Sequence, residues 1–189
     1  MIVRHMGTAA LETPRLILRR FVPEDLEPMF RNCWCEHGVW KWTNYAPMNS
    51  VSDVILKANM FTPRWLGAYS DPKRYSWAIC LRADNQPIGR MFGMHPTDGD
   101  VELAYELGSR WWNQGLMTEA ARAAISFFLR DVGLPRVHAY HAGENPASGR
   151  VMQKSGMRHI GIIPNGCTCN AGTFDRYDYE ILSADLLQK

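Results

Sequence analysis

The chain has 189 residues, 46% of them hydrophobic and 21% charged, with a formal net charge of +2. That length suits one domain with a proper core, and no run of Lys or Arg marks a nucleic-acid footprint. No stretch reaches the ~20 apolar residues of a membrane span, and the opening lacks a signal peptide's apolar core, so the cytoplasm is the default location.

A single domain is expected, with residues 1–10 as a flexible N-terminal extension. Arg15 to Arg19 reads as the first strand. Pro23-Glu24-Asp25 opens a helix, with Pro in the first turn and acids near its positive end. An aromatic loop follows from His37 to Asn49. Ser50 or Ser52 caps the next helix, which Pro63 or the Gly67 region ends. Tyr75 to Leu81 and Pro87 to Met94 alternate as paired strands around an Asp-Asn-Gln turn. Val101 to Gly108 is a further strand, and the helical spacing from Leu116 runs to a cap at Gly133. Val137 to His141 is a strand, and Asn145-Pro146 starts a short helix that stops at Gly156. Arg158 to Ile163 and Phe174 to Leu182 form a last strand pair around a polar loop from Pro164 to Thr173. Ser183 caps a final turn through Leu186 and Leu187. Helices interspersed among hairpin-linked strands predict an α/β (α+β) chain with a mixed sheet.

Five cysteines include two Cys-x-Cys pairs, Cys33/Cys35 and Cys167/Cys169. Structural zinc sites usually space their ligands by two to four residues, so plain reduced thiols are the better reading and no metal is expected.

The segment Trp111-Trp112-Asn113-Gln114-Gly115-Leu116-Met117-Thr118-Glu119-Ala120 joins a strand to a helix through a Gly-containing turn. Such a turn gathers unpaired N–H groups at the positive end of the helix, where anions such as pyrophosphates bind. No Gly-Lys-Ser/Thr follows, and the turn has one glycine where the dinucleotide fingerprint has three.

The Trp-Asn-Gln-Gly-Leu-Met-Thr-Glu-Ala run resembles the acetyl-CoA pyrophosphate loop of the GNAT acetyltransferases. It is most similar to their ribosomal-protein-alanine N-acetyltransferase branch. Asn145-Pro146-Ala147-Ser148, followed by Val151 and Lys154 to Met157, resembles that branch's second signature. The opening Leu11 to Arg19 is a third match, and the three lie in register along nearly the whole chain. Trp112 stands in the family's Gln/Arg position and Met117 in its second small position, so phosphate binding would lean on backbone donors. The resemblance implies a mainly antiparallel, twisted sheet whose central strands splay to admit the pantetheine arm. It also implies acetyl-CoA as co-substrate, held by Gln114, Gly115, Leu116, Met117 and Thr118, with Asn145 as cap and cofactor contact. A backbone N–H among Leu107, Gly108 and Ser109 would hold the thioester carbonyl. A homodimer through the late strands is a further implication.

Acetyl transfer to an amine needs an unprotonated amine, a donor to the carbonyl and a proton for the departing thiolate. Ser148 is the candidate proton donor by resemblance, although a capping arrangement with Asn145 would explain both residues locally. A lysine amine near pKa ~10.4 costs roughly 4.6 kcal/mol to deprotonate at neutral pH, while an α-amine near ~8 costs about 1.4. An N-terminal amine therefore needs only modest help. Glu102 and Glu106 share one face of their strand and are candidate bases, against the plainer reading of solvent-facing carboxylates. His138 and His141 are alternatives as base or amine ligand, or simply satisfied polar residues. Trp40, Trp42 and Tyr45 would line the acceptor mouth, or cover the core. The expected function is transfer of acetyl from acetyl-CoA to a primary amine by direct attack, the amine being a protein N-terminus or a small molecule. The alternative is a degenerate acyl-CoA-binding or regulatory module.

Overall fold

The computed structural model describes residues 2–186, without the side chain of Leu186. Two very short opening strands, β1 (Leu11–Glu12) and β2 (Leu16–Arg19), precede a helical run, α1, over 23–34. It opens as a 3-10 turn at Pro23–Asp25, is α-helical over Leu26–Met29 and widens to π geometry over Phe30–Trp34. Short helices α2 (His37–Trp40), α3 (Val51–Leu56) and α4 (Pro63–Gly67) follow. The strands β3 (Tyr75–Leu81), β4 (Pro87–Met94) and β5 (Val101–Leu107) lead into α5 (Leu116–Ser126). Then come β6 (Arg136–Ala142), α6 (Pro146–Lys154), β7 (Arg158–Cys169) and β8 (Gly172–Leu182).

The eight strands form one sheet in the order β1-β2-β3-β4-β5-β6-β8-β7. Every pairing is antiparallel except β5 with β6. That parallel contact covers only Val101 with Val137 and Glu102 with His138. Both strands then continue apart, which opens the sheet at its centre as the resemblance implied. α5 is the crossover between them, and parallel neighbours require such a connection.

β3 is buried on both faces. Trp77 and Ile79 join a core with Phe127, Phe128 and Leu129 of the π-helical stretch Phe127–Val132 that continues α5, and with Met152 of α6. Ala78 and Cys80 face a second core of Met29, Trp34, Trp40 and Val54 from the early helices. Alternation along the strand therefore feeds two layers, not a core and a solvent face.

Several local expectations change. Ser50 does cap α3, accepting from the Asp53 N–H at 3.1 Å, but α3 ends at Leu56. Pro63 starts α4 instead of ending its predecessor, since it sits just after the Thr62 cap where its missing N–H costs nothing. The polar 164–173 loop is mostly strand, and β7 and β8 form one long hairpin with its tip at Asn170 and Ala171. The N-terminal segment is not a free extension. Arg4 N–H bonds Val132 O at 2.8 Å, Gly7 N–H bonds Pro72 O at 2.7 Å, and the buried Thr8 hydroxyl bonds Arg74 O at 2.8 Å. Met1 of that segment, and Leu187 of the expected final turn, lie outside the described residues.

Candidate active site

Gly115 adopts φ +76°, a left-handed conformation that admits glycine without strain, and α5 begins at the next residue. The first helical bond returns from Glu119 N–H to Gly115 O at 3.0 Å. The N–H groups of Leu116, Met117 and Thr118 therefore have no partner inside the helix, and no side chain caps them. Asn113 just upstream is also left-handed, at φ +59°. Alternating backbone of this kind turns successive amides toward one concavity, and the helix dipole adds to their field.

The helix start is tied to the far edge of the sheet. Glu119 accepts from the Thr13 hydroxyl at 2.6 Å, from Arg15 N–H at 2.9 Å and from Arg15 Nε at 2.7 Å. Burial works against ionising this carboxyl, but those donors outweigh it and hold its pKa below the usual value. Arg15 also donates to Gln114 O at 3.0 Å, which places a half-exposed guanidinium beside these unpartnered amides. Met117 is buried in the main core, so its bulk does not obstruct the turn. Trp112 stays about half exposed and donates its indole N–H to Leu107 O at 2.7 Å.

From this turn a cavity of about 700 Å³ runs along the gap between β5 and β6. At the end of β5 the Gly108 N–H is spent on Ile88 O at 3.0 Å, and the Ser109 N–H on the Glu36 carboxylate at 3.1 Å. Alternation leaves the Leu107 N–H directed to the other edge, past the point where β6 pairing stops. Of the three expected carbonyl donors, Leu107 alone keeps an amide for the gap. Gly108 has a steric role, because a Cβ there would lie 1.9 Å from Asn32 O.

Ser148 lines the same cavity from α6. Asn145 Oδ1 accepts the Ser148 backbone N–H at 3.4 Å, so the cap is present. The Ser148 hydroxyl does not close a capping box. It lies 3.0 Å from the Tyr105 hydroxyl, which also donates to Ser148 O at 3.1 Å. Burial pushes the Tyr105 phenol up, so it stays neutral. Tyr105 reads from sequence as core, and only its register opposite α6 reveals the contact.

The two carboxylates separate in role. Glu106 is buried, pairs with Arg90 at 3.1 Å and accepts the Trp34 indole N–H at 2.6 Å. A carboxylate so occupied holds β5 against α1. Glu102 is half-buried, lines the cavity and makes no ion pair or side-chain hydrogen bond among the described residues. Neither histidine is placed as a base. Burial lowers the His138 pKa, and the ring sits 3.8 Å from Asp100 outside the cavity lining. His141 gives Nδ1–H to Ala142 O at 2.7 Å, while its Nε2 is enclosed against Gly149 without a partner. Burial lowers its pKa as well.

Trp42 and Tyr45, expected at an acceptor mouth, line the cavity, joined by Phe92, Met94 and Tyr140. Trp40 does not. It is 2% exposed in the second core and donates its indole N–H to Trp34 O at 2.7 Å. Cys80 is buried, and its thiol is pushed up to about 12. Among the described residues no three His, Cys, Asp or Glu side chains gather as metal ligands, and no helix is long and apolar enough to cross a membrane.

Comparison with known proteins agrees with this geometry. An uncharacterised N-acetyltransferase, YoaA, of Bacillus subtilis is 27% identical over 175 residues, covering 91% of this chain and 96% of that one. A GNAT-family acetyltransferase structure from Bacillus anthracis superposes with a TM-score of 0.72 at 22% identity, covering 93% of this chain and 99% of its own. The ribosomal-protein-S5-alanine acetyltransferase of Vibrio fischeri shares the fold, with a TM-score of 0.77 at 14% identity over 94% of this chain and 98% of its own. The family model for the acetyltransferase (GNAT) domain matches residues 15–158, from the β1–β2 corner to the start of β7. That span takes in the free amides of α5, the parted strands and the Asn145 cap, and the chain belongs to the GNAT acetyltransferase family.

Proposed function

We propose that this chain transfers an acetyl group from acetyl-CoA to a primary amine, by direct attack with both substrates bound. The observation that carries the reading is one continuous cavity. It has unpartnered amides at one end, the Leu107 N–H and the Ser148 hydroxyl midway, and an unpaired carboxylate, Glu102, toward the other. Acetyl-CoA, when bound, supplies an activated thioester. Backbone N–H groups of Leu116, Met117 and Thr118, with the Arg15 guanidinium beside them, suit its diphosphate. The Leu107 N–H holds the carbonyl oxygen as charge builds there. Ser148 gives its proton toward the sulfur, and Tyr105, 3.0 Å away, steadies the hydroxyl through the change. Glu102 takes the amine proton, directly or through water.

The acceptor is a protein N-terminal α-amine or a small amine. An α-amine is the less costly to deprotonate, which suits a site with one modest base. The Vibrio fischeri protein of the same fold is by name an alanine acetyltransferase. A homodimer belongs to the same proposal, since the outermost strand β7 exposes Ile160, Ile162 and Ile163. Sedimentation would test that association. The catalytic reading is tested by thiol release from acetyl-CoA against a panel of amines and peptide N-termini. Turnover on at least one acceptor is expected. Tight acetyl-CoA binding with no turnover on any would leave the module reading in its place.

A further inference from the structure

The acceptor end of the cavity is encircled. β4 is bonded to β5, β5 to β6 at Glu102, β6 to β8, and β8 to β7. On the other side α1 is anchored to β4, with Asn32 donating to Pro87 O at 2.9 Å. The circle closes where the β7–β8 hairpin tip meets the aromatic loop over 41–45. Asn170 N–H bonds Thr43 O at 2.8 Å and Ala171 N–H bonds Lys41 O at 3.1 Å. The Asn170 side-chain amide adds bonds to Trp40 O at 2.9 Å and Tyr45 O at 2.7 Å. Trp42 meets Phe174 edge to face at 5.7 Å just behind this junction. Both partners of the junction line the cavity, through Trp42, Thr43 and Tyr45 on one side and Cys167 and Thr168 on the other.

We propose that Asn170 sets the width of acceptor this protein accepts. By pinning the hairpin tip to the 41–45 loop, it closes a ring that admits a primary amine on a slender stem and excludes one held flush against a bulky carrier. The slender class covers small amines and extended N-terminal residues. Every other link of the ring is sheet or packed core, whereas this one is four hydrogen bonds, one of the two side-chain bonds exposed and the other part-buried, and one aromatic contact, and the net strength of such bonds near water is modest. It is therefore the place where the ring yields. Asn170 is suited to the task, because one side-chain NH2 group supplies both donors for two carbonyls on opposite ends of the same loop. It is a positioning residue, since it acts through Trp42 and Tyr45. The inference rests on the acetyl-transfer reading above and adds a size limit to it.

The test compares wild type with Asn170→Ala and Asn170→Asp, the second keeping the shape but turning oxygens toward both carbonyls. Three acceptors serve: a small aromatic amine, an unstructured hexapeptide, and a small folded protein whose N-terminus lies flush with its surface. In both variants kcat/KM for the flush N-terminus should rise about tenfold relative to the small amine, roughly what losing two such bonds allows. That rise should come through KM. Acetyl-CoA affinity and kcat on the small amine should stay unchanged, and exchange of the backbone amides at positions 170 and 171, the donors of the junction, should quicken in the variants. An unchanged acceptor ratio in both variants would overturn the proposal, whether or not exchange quickens. So would wild-type turnover of the flush N-terminus equal to that of the hexapeptide. If neither wild type nor variant turns over any acceptor while acetyl-CoA still binds, the transfer reading itself fails, and the width limit falls with it.

Discussion

The two ends of the cavity are made of different material. At the end proposed for the coenzyme the groups facing the cavity are main-chain amides, fixed by a left-handed Gly115, by the Glu119 tether and by a large shared core. At the end proposed for the acceptor the groups facing the cavity are side chains, Trp42, Tyr45, Tyr140 and Glu102, on two strands and on a loop joined to a hairpin tip by a few hydrogen bonds. Backbone donors in a rigid frame suit an invariant ligand such as a diphosphate. Side chains on a hinged rim can be exchanged without disturbing that frame. The contrast implies that changes at the coenzyme end should damage folding and binding together, while changes at the acceptor end should alter kinetics and leave the fold intact.

The severest test of the rigid end is Gly108→Ala. A Cβ placed 1.9 Å from Asn32 O forces the end of β5 away from α1, at a cost of about 3 kcal/mol. Urea unfolding would measure it, and activity should fall in parallel because Leu107 moves too. Glu102→Gln tests the other end. It should lower kcat/KM about a hundredfold near neutral pH, with the loss shrinking as pH rises and the amine deprotonates itself, and with an unchanged unfolding midpoint. Gly115→Ala should cost roughly 1–2 kcal/mol in stability from the positive φ and weaken acetyl-CoA binding in calorimetry. Ser148→Ala leaves the Asn145 cap intact, because the cap uses the backbone N–H, so any loss is due to the hydroxyl. It should lower kcat by about tenfold and hardly move the unfolding midpoint.

The smallest effect concerns pH. His141 is buried with its folded pKa depressed by desolvation. A depressed histidine binds its proton more readily when unfolded, so its contribution is complete above the unfolded value near ~6.5 and is lost as pH falls toward the folded one. Urea midpoints should therefore decline below neutral pH, and His141→Leu should flatten that decline.

What could be read from the sequence follows the same division. β3, β4 and the start of α5 were expected where they are, because each is fixed by local signals: strict alternation, a two-sided turn, a lone glycine before a helical face. Of the 164–173 segment only the polarity was legible, because strand pairing there comes from β8 across the hairpin, not from its own pattern. Trp40 and Trp42 are two residues apart in one loop, yet one fills the core and the other faces the cavity. That division follows from the turn of α2, which no composition rule supplies. The pairing of Glu106 with Trp34 and Arg90, and of Tyr105 with Ser148, joins distant segments and was equally invisible. Met117 shows the opposite case, a residue whose apolar helical spacing and family position together read correctly. It occupies a position where a small residue is usual, but the side chain points into the core, so what matters at that position is its amide.

The tether from Glu119 to Thr13 and Arg15 spans more than a hundred residues of chain. During synthesis the first strands must wait, unlatched, until most of the sequence has emerged. Contacts of such separation form late and slowly in folding. The turn of free amides that this tether braces is thus completed late, and a coenzyme bound there as proposed, by favouring only the finished state, would add to its stability by mass action.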